Sequence, residues 1–161
     1  MMRTIASADL DRVRDLNQDN VPAVGDATRE RLAHLVDESA IALVSEIDGE
    51  ITGFCIVFGR GADYDSVNYL WFMERHPSAM YLDRVAFDER FQGRGLGTEM
   101  YDEVDRIIRR DHPTATGLTL EVNIDPPNEP SLAFHRKHGF VEVGRQMSKG
   151  IEVSLMHRPL D

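Results

Sequence analysis

The segment Gln92-Gly93-Arg94-Gly95-Leu96-Gly97-Thr98 sets three glycines at alternate positions directly before an apolar helical repeat. Glycine lets the backbone turn closely around a ligand, and the first turn of a helix offers unpaired N–H groups with a partial positive charge. That combination suits a phosphate or pyrophosphate, although a strand-to-helix connection that binds nothing can use the same residues. Two well-known phosphate loops are excluded. A P-loop needs Lys followed by Ser or Thr after its last glycine, whereas Gly97 is followed by Thr98-Glu99. A dinucleotide fingerprint places its third glycine where the Gly95 frame has Met100.

The elements that must carry this turn follow from periodicity. Residues 3–6 read as a short strand, and Leu10, Val13 and Leu16 as one face of a helix, followed by a loop over 17–25. Thr28 opens a second helix with Leu32, Leu35 and Val36 on one side. Two β-branched, apolar strands over 40–47 and 51–58 flank Asp48-Gly49, the dipeptide of a tight hairpin. Residues 59–79 lose their period and gather Tyr64, Tyr69, Trp71 and Phe72, with a short helix expected near 67–75. Residues 80–87 read as a strand, 96–110 as a helix, 118–124 as a strand and 128–138 as a helix closed by Gly139. Strands over 140–143 and 151–156 complete the sheet.

Composition narrows the class. A chain of 161 residues with 42% hydrophobic content suits one domain, expected over 1–161. No apolar run approaches the length of a membrane span and the start lacks a secretory signal, so a soluble cytoplasmic protein without a membrane partner is expected. A net charge of −10 argues against a nucleic-acid partner and weakly suits a cationic substrate. The one cysteine, Cys55, lies in an apolar run; it excludes an internal disulfide or a cysteine zinc cluster, and reads as packing rather than as a reactive thiol. His135 and His138 alone do not make a metal site, and none is expected.

A second constellation, Asn128-x-x-Ser131-x-x-Phe134-His135-x-x-x-Gly139-Phe140, follows the next strand. Together with Gln92-x-x-Gly95-x-Gly97, in this order and context, it resembles the two cofactor motifs of the GCN5-related N-acetyltransferase (GNAT) superfamily. The resemblance spans nearly the whole chain. It implies an α+β fold in three α/β/α layers, with a mixed, mostly antiparallel sheet splayed between the fourth and fifth strands and helices on both faces. It implies acetyl-coenzyme A as cofactor and transfer of acetyl to a primary amine, with a small molecule or a peptide as acceptor. The alternative is a module that binds the cofactor without turnover, acting as a sensor or assembly partner.

Carried onto this chain, the pyrophosphate would sit on the N–H groups of Gln92, Gly93, Arg94, Gly95, Leu96, Gly97 and Thr98. Val85 and Phe87 would meet the pantetheine arm, with Asn128 and Ser131 facing it. Asn128 equally suits a helix N-cap. His135 stands where related enzymes often have a tyrosine that protonates the leaving thiolate. It is then a general acid, or a packed histidine beside a thiolate that leaves unaided. Alternation puts Tyr81, Asp83, Val85 and Phe87 on one strand face toward the cleft, which makes Asp83 or Tyr81 candidates to take up the amine proton. Glu121, a carboxylate between Leu120 and Val122, is the other candidate. Tyr64, Tyr69 and Trp71, with Tyr81, would contact the acceptor amine through their rings. An exposed final strand would pair two copies into a homodimer.

Overall fold

Asp48 and Gly49 take φ values of 51° and 79°, the left-handed pair a two-residue hairpin requires, and join β2 (Ile41–Ile47) to β3 (Glu50–Phe58). The computed structural model describes residues 1–160. Around that hairpin it arranges β1 (Met2–Thr4), β4 (Met80–Phe87), β5 (Gly117–Asp125), β6 (Val141–Ser148) and β7 (Ile151–Pro159). The resulting seven-stranded sheet has the order β1-β2-β3-β4-β5-β7-β6. All neighbours are antiparallel except β4 and β5, so the sheet is mixed and mostly antiparallel.

Helices cover both faces. Leu10, Val13 and Leu16 of α1 (Leu10–Asp19), Leu32 and Leu35 of α2 (Arg29–Glu38), and Tyr69 and Phe72 of α3 (Val67–Arg75) pack with Val44, Phe54, Ile56 and Phe58. On the other face Met100, Tyr101, Val104 and Ile108 of α4 (Leu96–Asp111) and Leu132 of α5 (Glu129–Lys137) pack with Leu43, Val57, Leu82 and Leu120. The architecture is the α+β sandwich expected. No helix among the described residues is long and apolar enough to cross a membrane.

Two features of β4 shape the gap beside it. The strand pairs with β5 only at Met80 with Leu118 and Tyr81 with Thr119, after which the two diverge. It also bulges. Ile56 of β3 lies opposite Arg84 and Val57 opposite Leu82, so Asp83 is an extra residue on β4. A bulge resets alternation. Tyr81, Arg84 and Ala86 consequently face α1 and α3, while Leu82, Val85 and Phe87 face α4. The strict alternation that grouped Tyr81 and Asp83 with Val85 and Phe87 is thereby corrected.

Other boundaries move for similar local reasons. α1 continues to Asp19, so Asn17 is helical rather than the start of a loop. β6 extends to Ser148 because Lys149 and Gly150, at φ 50° and 78°, make a second tight hairpin into β7. The final strand, β7, lies between β5 and β6 and has no free edge to pair with another copy; β6 holds the edge instead.

Asn17 is fully buried, donates from Nδ2 to Gly25 O (2.9 Å) and accepts from Arg84 Nη1 (2.9 Å), tying α1, the loop after it and the bulged strand together. Asn17→Ala would leave a buried guanidinium N–H of Arg84 without its acceptor and take one of two donors from Gly25 O. It should lower unfolding free energy by about 2–3 kcal/mol, read as a shift in the urea midpoint at unchanged slope.

Candidate active site

Because β4 and β5 part after Tyr81, a cleft of about 970 Å³ runs through the sheet from the α4–α5 face to the α1–α3 face. Its two ends differ chemically.

On the α4 side, Gly95 serves as the N-cap of α4 in a left-handed conformation (φ 77°), and Gly93 is also left-handed (φ 76°). A methyl group built on either glycine meets nothing within 4 Å, so the turn borders open space. The first amide of the helix to find an acceptor is that of Glu99, which bonds Gly95 O (3.0 Å). The amides of Leu96, Gly97 and Thr98 have no hydrogen-bond acceptor among the described residues, as the start of a helix dictates. Gln92, Gly93, Gly95, Leu96, Gly97 and Thr98 line the cleft. The side chain of Arg94 instead lies over the Phe91 ring, 4.9 Å from its centroid.

The two glycine and asparagine motifs are stitched to each other. A Cβ on Gly97 would come within 3.2 Å of the Phe134 ring, so the glycine permits α5 to close on α4. His138 stacks on Phe134 with centroids 4.1 Å apart and bonds Thr98 Oγ1 (3.1 Å). Asn128 is the N-cap of α5, its side chain accepting from the Ser131 amide (3.3 Å), and it also lines the cleft. Cap and cleft position thus coexist in one residue.

His135 is buried, and burial pulls its pKa down to about 4. Nδ1 lies 2.7 Å from Ser131 O, which can only accept, so the proton resides on Nδ1. Nε2 is left to accept from the hydroxyl of Tyr101 at 2.6 Å. The imidazole is neutral at pH 7 with both nitrogens engaged, and the one proton of the Tyr101 hydroxyl is directed to Nε2, leaving the phenol oxygen free to accept. Burial raises the Tyr101 pKa well above the ordinary phenol value and keeps the group protonated. Both side chains line the cleft. Tyr101 was not singled out in the sequence because it reads as one more residue of the α4 core stripe. Beneath it, Cys55 is fully buried and its thiol is pushed up to about 12, as its apolar run implied.

On the α1–α3 side lies a network of acids and phenols. Tyr81, wholly buried, donates from its hydroxyl to Glu121 Oε2 (2.6 Å) across the splay. Burial and the charge of Asp83 push the Glu121 carboxyl up to about 8. Asp83 itself accepts from Tyr64 Oη (2.5 Å) and from Arg84 Nε (2.8 Å). Asp83 is therefore occupied by a cation, while Glu121 retains partial exposure to the cleft without one.

Of the aromatic residues expected at an acceptor site, Tyr64 alone lines the cleft. Tyr69 is buried against the sheet, donating to Gly59 O (2.6 Å). Trp71 packs beneath Gly144 of β6, where a Cβ would come within 2.7 Å of the indole. These two are corrected from cleft residues to core residues, because α3 turns its apolar stripe inward.

The cleft mouth is closed by segments remote in sequence. Asn20 donates to Phe87 O (3.3 Å) and Asn123 to Pro22 O (3.2 Å), which draws the loop after α1 across the gap between β4 and β5. From the other side Asn68 of α3 donates to Ser148 Oγ (3.2 Å) and accepts from Gln146 Nε2 (2.7 Å), anchoring the β6–β7 hairpin over the cleft. Ser148 and Lys149 enter the lining this way. Their signal in the sequence was Lys149-Gly150 between two alternating stretches, a hairpin turn that the shorter strand boundaries concealed.

None of the curated proteins matches the chain in sequence. Among solved structures it is similar to Ard1 from Thermoplasma volcanium, with a TM-score of 0.80, 20% identity, and coverage of 100% of this chain and 97% of that one. It is also similar to the ribosomal-protein-S18-alanine N-acetyltransferase from Escherichia coli, with a TM-score of 0.76, 17% identity, and coverage of 100% and 94%. A third, yncA from Salmonella typhimurium with its cofactor acetyl-CoA, gives a TM-score of 0.75, 17% identity, and coverage of 100% and 94%. At these identities the likeness concerns the fold. In sequence, residues 10–140 match the profile of the acetyltransferase (GNAT) family, a span that contains both motifs and both sides of the splay. The chain belongs to that family.

Proposed function

We propose that the protein transfers an acetyl group from acetyl-coenzyme A to a primary amine by direct attack within a ternary complex. The observation that carries this reading is the through-sheet cleft, with unpaired helix amides at one end and a proton-accepting carboxyl without a cation partner at the other. Bound there, the cofactor would supply an acetyl thioester. The fit is supported by the open space at Gly93 and Gly95 and by the three free amides of α4, which suit a pyrophosphate. Val85 and Phe87 lie on the part of β4 that has left β5 and line the cleft, where an amide-bearing arm would meet main chain that β5 does not pair, Phe87 O being shared with Asn20. Asn128 and Ser131 line the same wall.

Glu121 is the residue assigned to take up the proton of the acceptor ammonium, directly or through water. A pKa near 8 sets the carboxylate closer to the amine it must deprotonate than an ordinary glutamate. Tyr81 orients that carboxyl, and Asp83 raises its pKa while being held by Arg84 and Tyr64. On the thiolate side Tyr101 is assigned as the donor: its one hydroxyl proton, which points to His135 Nε2 in the free protein, would turn to the departing sulfur, and the phenolate would recover a proton from solvent. Thiolates leave readily near neutral pH, so the donor's contribution is modest.

Glu121→Gln should lower kcat by about 100-fold, and the rise of wild-type kcat/KM to a plateau above about pH 8 should vanish in the variant. The same group has a stability signature. Between its ordinary pKa of 4.5 and about 8 the folded chain holds a proton that the unfolded chain has lost, so stability falls as pH rises through that window. His135, depressed from 6.5 to about 4, acts in the opposite sense but is exhausted above 6.5. Denaturation measured from pH 6.5 to 8 should therefore show a decline in wild type that Glu121→Gln removes. Gly97→Val should raise the Kd for acetyl-coenzyme A by about tenfold or more in calorimetry, by forcing Phe134 and α5 away from the turn. Tyr101→Phe should lower kcat by about tenfold while leaving the Kd for the cofactor unchanged; an equal loss in both would move Tyr101 from proton donor to packing residue.

A further inference from the structure

The net charge of −10 leads one to expect an acidic acceptor site, yet at the acceptor end of the cleft Asp26, Asp65 and Asp83 are matched by Arg31, Arg84 and Lys149. Two of the acids there are ion-paired, Asp83 with Arg84 and Asp65 at 3.6 Å from Arg31, while Asp26, exposed beside Gly25, accepts only from the neutral Gln18 Nε2 (2.7 Å) and keeps its charge. Glu121, with its pKa raised to about 8, is largely uncharged at neutral pH. Against these stands Lys149, which makes no ion pair or hydrogen bond among the described residues and lines the cleft from the tip of the β6–β7 hairpin. Arg84 is the second cation. Nε serves Asp83, and Nη1 serves Asn17 Oδ1 (2.9 Å) and Gly25 O (3.1 Å), while Nη2 makes no hydrogen bond among the described residues.

These two cationic nitrogens converge on one point. A methyl group built on Gly25 would sit 3.4 Å from Lys149 Nζ and 3.8 Å from Arg84 Nη2. Gly25 has no left-handed φ to account for it, so its missing side chain leaves a niche and relieves no backbone strain. Two cations held around an empty niche, one of them locked in place by buried hydrogen bonds, are arranged to receive an anion.

We propose that this niche is a subsite for a carboxylate carried by the acceptor, so that the substrate class is an amine with a carboxylate close to it, as in an amino acid. The proposal rests on the transferase reading above. The carboxylate would accept from Arg84 Nη2 and Lys149 Nζ, and the amine of the same molecule would approach Glu121 along the cleft that all three residues line. The carboxylate has two sources, a free amino acid or a short peptide with an acidic side chain, and the assay separates them.

The test uses the full chain, acetyl-coenzyme A and thiol release with three acceptor sets: free amino acids, their carboxamides, and dipeptides with or without an acidic second residue. Acids should exceed the matched amides in kcat/KM by about 10- to 100-fold, the range of a charge-assisted hydrogen bond lost. Lys149→Met should cut that acid-to-amide ratio by about tenfold and Lys149→Arg should restore it. Gly25→Ala, which fills the niche at ordinary contact distances, should cut the ratio similarly in a folded protein. Preference for free acids assigns the carboxylate to an amino acid, and preference for acidic dipeptides assigns it to a side chain. Amides used as well as acids, or a ratio indifferent to Lys149→Met and Gly25→Ala, would overturn the subsite. Calorimetry with the acids and amides needs no transfer. Acid-selective binding that Lys149→Met abolishes, without turnover, would uphold the subsite and reject the transferase reading, and equal binding of both without turnover would reject the two together.

Discussion

The short parallel contact between β4 and β5 is the constraint on which the rest of the structure depends. Two residue pairs, Met80 with Leu118 and Tyr81 with Thr119, hold the strands at one end. Further pairing would seal the sheet, and its absence opens a passage that no surface loop could frame so firmly. The bulge at Asp83 acts at the same place, directing Arg84 into α1 and leaving Leu82, Val85 and Phe87 to the opposite layer. One inserted residue therefore decides which side chains see which end of the cleft. Strand divergence exposes backbone groups that a continuous sheet would have consumed, and the protein recovers order through the asparagine contacts that bridge the gap.

The two ends of the passage solve different electrostatic problems. On the α4 side charge is managed by main chain and by neutral aromatic groups: free amides, a phenol and an imidazole kept uncharged by burial. On the α1–α3 side it is managed by pairing, with Asp83 held by Arg84, while burial and the charge of Asp83 keep its neighbour Glu121 protonated near neutral pH. On the proposed reaction, separating the regimes would keep the group that takes up a proton away from the one that gives it.

How much of this was legible in the sequence depends on how local each feature is. The Asp48-Gly49 hairpin and β4 at Met80–Phe87 follow from turn chemistry and period alone, α3 at Val67–Arg75 from a stretch too long for a bare loop, and each lies where the residues put it. Glu121 stood out as an acid within an apolar strand, and its buried bond to Tyr81 explains why. Strand alternation failed at β4, because a bulge is set by the register between two strands and leaves no mark on one of them. Tyr69 and Trp71 were read as cleft aromatics since composition does not say which way a helix faces. Tyr101 and Lys149 escaped notice for a related reason. Their positions depend on partners 34 residues away in one case, and on a hairpin folded over the cleft in the other.

Cys55 lies under the floor of this passage, at 0% exposure, with its thiol pushed up to about 12. On the proposed reaction the cleft would release a free thiol at every cycle, and any nearby cysteine would be exposed to mixed-disulfide formation with that product once it is oxidised. Exchange proceeds through the thiolate and needs access to sulfur. The chain's only cysteine has neither, so oxidation of the surrounding thiol pool has no covalent hold on the protein.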